Sequence, residues 1–118
     1  MPAVYFDELI EIGATYRVAL ILLDGSGDPY QLLDVTDVHF NVKKTYESDD
    51  TLVHLNFANG GTKITPLEGR IDIEITATET AALPYCDGVY DLKLFLDDGQ
   101  VIRLRQGRMK ISREVQTI

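Results

Sequence analysis

The chain has no tryptophan, a single cysteine and two histidines. It also lacks any run of about eighteen apolar residues, the length needed to cross a bilayer. Each shortage excludes something. The lone Cys86 cannot close an internal disulfide. It lies in PYCDG, with no histidine nearby, and reads as a turn or packing residue rather than a reactive thiol. His39 and His54 occupy polar positions of alternating segments and read as surface histidines on strands. No C-x-x-C, H-x-x-x-H, G-x-S-x-G or glycine-rich phosphate loop occurs. No catalytic residue, metal ligand or cofactor is therefore expected, because such chemistry needs converging partners. The opening MPAVYFDELIEIG carries Asp7, Glu8 and Glu11 and no base before Arg17, which is not the pattern of a signal peptide. The expectation is a soluble protein made in a cytoplasm-like compartment, with no membrane partner.

Basic residues are also scarce. Eleven bases face 19 acids, a net charge of −8. Phosphate contacts require the opposite balance, so nucleic acid is not an expected partner. The bases that do occur are concentrated at one end. Residues 101–118 carry +4, from Arg103, Arg105, Arg108, Lys110 and Arg113 against Glu114, while residues 1–100 carry −12. Two readings follow: a solvated strand face paired with acids on its neighbour, or a self-complementary surface for head-to-tail assembly. The stretch from Asp24 to Asp28, DGSGD, does not match a calcium loop, because Pro29 and Val35 stand where the EF-hand spacing wants glycine and glutamate. It reads as an acidic hairpin turn, with weak surface calcium binding as the alternative. Sugar-binding sandwiches present aromatic platforms; with six tyrosines and no tryptophan, carbohydrate is a weaker reading.

Alternation of period two is abundant. Ile71, Ile73 and Ile75 oppose Asp72 and Glu74; Val38, Phe40 and Val42 oppose His39, Asn41 and Lys43; Val53, Leu55 and Phe57 form a third set, and Tyr90, Leu92, Leu94 and Leu96 a fourth. TYRVALILL is apolar on both faces from Val18 on, as a central strand covered on both sides would be. Turn signals separate the runs at 24–29, 46–50, 58–62 and 97–99. With 118 residues and no linker or repeat, residues 1–118 read as one all-β domain, an immunoglobulin-like antiparallel β-sandwich of about seven or eight strands with one short helical turn.

Two details sharpen that reading. A three-residue loop at Asp97-Asp98-Gly99 pairs Leu94 with Ile102, Leu92 with Leu104 and Asp91 with Arg105, whereas a two-residue loop puts Leu94 against Arg103. It leaves Lys93 opposite Arg103, a like-charge pair, and Phe95 with Val101 on the outer face. Further on the inward parity changes from Ile102 and Leu104 to Met109 and Ile111, which a bulge at Gln106-Gly107 would absorb. In TETAALP, Thr78 reads as an N-cap and Pro84 as a stop, giving one helical turn between sheets. Tyr90, opening the next strand, is then either a tyrosine corner bonded to upstream backbone or a plain core tyrosine.

The order of these pieces carries a resemblance. IEIGATYRVAL, then DGSGDPYQLLDVTDVHFNVKK, then GRIDIEITATETAALPYCDGVYDLKLFLDDGQVIRLRQGRMKIS together resemble small tailed-phage and prophage proteins similar to the N-terminal domain of phage baseplate upper proteins. The likeness runs from about Leu9 to Val115. It implies a non-catalytic virion part – tail, baseplate or connector – synthesised in the bacterial cytoplasm and partnered by other phage structural proteins, with homo-oligomers expected. The candidate interface is Phe95, Val101, Arg103, Arg105 and Arg108, on a final strand expected to dock by its edge or face. The alternatives are a carbohydrate- or calcium-binding module of a host-recognition device, and a small enzyme.

Overall fold

Alternating strands that are apolar on one side bury that side by stacking in two layers, and this chain does so. A computed structural model describes residues 4–113. Nine strands follow in order: β1 Val4–Tyr5, β2 Glu8–Glu11, β3 Tyr16–Ile21, β4 Val35–Lys43, β5 Thr51–Leu55, β6 Thr62–Thr65, β7 Arg70–Ile75, β8 Cys86–Leu96 and β9 Val101–Ser112. One sheet runs β1-β9-β8-β4-β5 with β2 also on β9; the other runs β3-β7-β6. The fold is an all-β sandwich. The chain crosses between layers after β2, β3, β5 and β7, while β4–β5, β6–β7 and β8–β9 are antiparallel hairpins within a layer.

The core is the set the alternation selects. Val38, Phe40, Val42, Ile71, Ile73, Ile75, Leu92 and Leu94 are buried between the sheets, with Ile10, Met109 and Ile111 closing one end. Tyr16 and Tyr90 flank Phe40, with ring centroids 6.0 and 5.5 Å away. Each such side chain contributes about 1.5–3 kcal/mol on burial, which makes this shared layer the main stabilising term.

Several expectations need correction. The sandwich is not wholly antiparallel: β1 and β2 both run parallel to β9, Val4 opposite Arg105 and Glu8 opposite Met109. One register spans both, so they are a single N-terminal edge strand whose ladder breaks at Phe6-Asp7. β3 is an edge strand rather than a central one; its outer face is open, and Ile21 is exposed. Apolar residues on both faces are needed for a doubly covered strand but do not ensure the cover. Two short helical elements occur, a 3-10 turn at Pro66–Glu68 and α1 at Ala77–Ala81. The cap of α1 is Thr76, not Thr78, because Thr76 and Glu79 close a reciprocal capping box. Of the two readings of Cys86, packing holds: it opens β8 opposite Ile111, half-buried against the core, rather than sitting in a turn.

The hairpin after β8 has the expected three-residue loop. Leu96 and Gln100 close it, Gly99 takes φ +89°, and Leu94 pairs with Ile102. The bulge, however, lies earlier than Gln106-Gly107. Lys93 pairs with Arg103 and Leu92 with Arg105, so Leu104 is the extra residue and Asp91 faces Gln106 instead of Arg105. Gly107 serves a different purpose. Any Cβ there would run into the Phe6 carbonyl oxygen, so glycine lets the N-terminal strand approach.

Candidate functional site

The outer face of the larger sheet forms a grid that the registers fix. Across it run Val101–Phe95–Asp37, then Arg103–Lys93–His39, then Gln106–Asp91–Asn41–His54, then Arg108–Val89–Lys43. A hydrogen-bonded chain spans three strands of this face: Asn56 meets His54, His54 meets Asn41 Oδ1, and Asn41 donates to Asp91 at 3.3 Å. Both ring nitrogens of His54 have a partner, Nδ1 the Asn41 side-chain oxygen and Nε2 the Asn56 amide. His39 lies between, with centroids 5.0 Å from His54 and 4.2 Å from Phe95, and its Nε2 is 3.1 Å from Asp37. Burial acts to raise the Asp37 carboxyl, but bonds from the Phe57 and Val38 amides and from His39 outweigh it, holding the group below its ordinary value and charged.

A concavity of about 200 Å³ opens on this face, lined by Lys43, Tyr46, Asp91, Lys93 and Arg103 among others. Tyr46 lines it from the β4–β5 connection, and its phenol is raised by burial, then by Tyr5 and Asp91. Asp91 is the shared counter-ion, 3.8 Å from Lys93 Nζ and 3.9 Å from Arg103 Nε. It offsets the like-charge Lys93–Arg103 pairing. Both distances exceed a hydrogen bond, so neither cation is held by it. A larger hollow beyond it, lined by Asp7, Glu8, Lys44, Asp87, Arg108 and Lys110, balances its charges.

The structure divides the candidate interface residues. Phe95 and Val101 are cross-strand partners on the outer face; Val101 is exposed, while His39 partly covers Phe95. Arg103 and Arg108 are exposed on the same face. Arg105 is not. Its side chain is 14% exposed and bonds Glu8 at 2.8 Å, with its guanidinium 4.3 Å from the centre of the Phe6 ring. The bulge at Leu104 is the cause: it turns Arg105 off the outer face and toward the seam between the sheets. Nor is the final strand a free edge, since β1 and β2 cover it.

At that seam sequence reasoning missed a polar cluster. Tyr90 is buried and does donate its hydroxyl to upstream backbone, but to the Phe6 carbonyl 84 residues away and not to the nearby backbone a tyrosine corner uses, so it clamps the N-terminal strand. Burial pushes its phenol up to about 12, against the lowering effect of Arg105. Tyr16 is raised further, by burial and then by Glu8. The corner is fastened instead by buried Thr80 of α1, whose hydroxyl donates to Ala14 O at 2.8 Å and accepts from Gly13 N at 3.1 Å. The sequence signal for the cluster is Glu8 itself, an acid at the position that alternation from Ile10 points inward.

Among the described residues, no group of three or more His, Cys, Asp or Glu is arranged to hold a metal. The Asp24 carboxylate is turned onto its own loop, accepting from Ser26 N at 2.8 Å and Asp28 N at 3.1 Å, an acidic hairpin turn closed by the Leu23–Pro29 bridge. Among the described residues no helix is long and apolar enough to cross a membrane. Comparison with protein-family models and with curated proteins yields no match.

Proposed function

We propose that the protein is a non-catalytic structural or assembly part of a phage or prophage particle, a tail, baseplate or connector component working through protein–protein contacts. The observation that supports this most is the outer face of the larger sheet. It is a broad surface on which Val101, Phe95 and His39 adjoin Lys93, Arg103 and the concavity that Tyr46 lines. An apolar spot rimmed by charge, with an arginine and a tyrosine beside it, is what a protein partner uses. Docking is by this face. The basic final strand takes part through Arg103 and Arg108, since its edges are already paired. A rigid sandwich stabilised by its own core suits a part that must keep its shape while its outside makes contacts.

The test is to purify particles from a host carrying the gene and to probe them for the protein by mass spectrometry. It is expected at a fixed copy ratio to the other structural proteins, and its absence from washed particles would overturn the reading.

A further inference from the structure

We propose that the concavity lined by Lys43, Tyr46, Lys93 and Arg103 is a carboxylate-recognition site, and that its occupant is the acidic Asp97-Asp98 hairpin tip of a second copy of this chain. This rests on the assembly reading above and names its contact.

Three cations, Lys43, Lys93 and Arg103, line the concavity against one carboxylate, Asp91. Lys43 has no ion pair among the described residues, and Asp91 stands 3.8 and 3.9 Å from the other two. The site thus holds more positive charge than its own chain neutralises, with the half-exposed Tyr46 among its lining residues. The adjacent hollow, with its charges balanced, has no such surplus.

The complement lies at one end of the same molecule. The β8–β9 hairpin projects Asp97 and Asp98, both exposed. Asp98 accepts from Gln100 N at 2.9 Å, whereas the Asp97 carboxylate has no partner among the described residues. The tip is tied to the acidic β3–β4 loop by the bond from Asp97 N to Asp34 O at 2.9 Å. The acidic tip and the basic concavity are distinct patches along the same β8–β9 hairpin, so their contact between two copies is heterologous, which propagates head to tail and closes into a ring if the rotation permits. The whole-chain charge of −8 opposes association at low salt, so a local pairing of opposite sign is needed to overcome it.

The test is sedimentation of the full chain with charge reversal on either side. The wild type is expected to associate with concentration. Lys93→Glu with Arg103→Glu is expected to sediment as a monomer, and so is Asp97→Lys with Asp98→Lys; mixing the two variants restores association. Circular dichroism confirms that both are folded, and Tyr46→Ala, which trims one uncharged wall of the concavity, weakens association at least tenfold. A wild type that stays monomeric up to about 1 mM, the weak end of specific affinity, overturns the proposal. So does association that persists in both variants, or a mixture that stays monomeric. Binding of inorganic phosphate to a chain that never self-associates overturns the named occupant. A wild type that never self-associates yet is found in particles defeats this contact alone; absence from particles defeats the assembly reading alone.

Discussion

Arg103 and Arg105 stand two residues apart on β9, where plain alternation would set them side by side. The extra residue Leu104 separates them. Arg105 turns to the seam, 14% exposed and 2.8 Å from Glu8, while Arg103 stays on the outer face, 49% exposed and 3.9 Å from Asp91. The first pair lies in low dielectric, where a lost partner leaves a stranded charge. The second lies in water, where an ion pair contributes little to folding but its surplus charge is available to a partner. One strand thus carries two arginines with different work, one sealing the fold and one offered outward.

The largest effect should come from breaking the seam. Arg105→Ala strands Glu8 beside Tyr16 and is expected to cost about 3 kcal/mol in urea unfolding, the order seen when one member of a buried pair is removed. Replacing both Arg105 and Glu8 by apolar residues should recover most of it; no recovery would mean the pair is not the cause. Gly107→Ala comes next, at about 2 kcal/mol, because its methyl group displaces the Phe6 carbonyl. Hydrogen exchange should show the loss confined first to the N-terminal strand. Tyr90→Phe removes the clamp on Phe6 and should cost about 1 kcal/mol.

The same tyrosine sets an alkaline limit. Its folded pKa of about 12 lies above the ordinary 10.0. The neutral phenol is favoured by folding, so this stability is complete below pH 10 and is lost as pH rises toward 12. A pH titration of unfolding should therefore fall more steeply for the wild type than for Tyr90→Phe. Smallest of all, Arg103→Ala should change unfolding by less than about 0.5 kcal/mol, as exposed pairs do. A loss as large as that of Arg105→Ala would erase the distinction between the two arginines.

Much of the fold was legible because it is written locally. The alternation at 71–75, 38–42 and 90–94 selected residues that are buried, and the Asp97-Asp98-Gly99 loop fixed the register through Ile102. The bulge was legible as a parity change but not in place, since an extra residue anywhere between Leu104 and Gly107 accounts for it. Gly107 looked like the bulge residue when it serves a neighbour instead. The N-terminal strand left no local trace of its partner, because pairing Val4 with Arg105 is a contact between distant parts of the chain. Arg105 was misplaced for the same reason, as its direction depends on that strand and on Glu8. The two histidines read singly as surface residues; only the β4–β5 register brings them to 5.0 Å.

The central claim, that the outer face and not the seam meets a partner, is tested most directly by competition in assembling particles. Wild type and Arg103→Glu, supplied together in equal amounts, are compared by mass spectrometry in the purified product. The variant should be as stable as the wild type in solution and strongly depleted from particles; incorporation at parity would contradict the account.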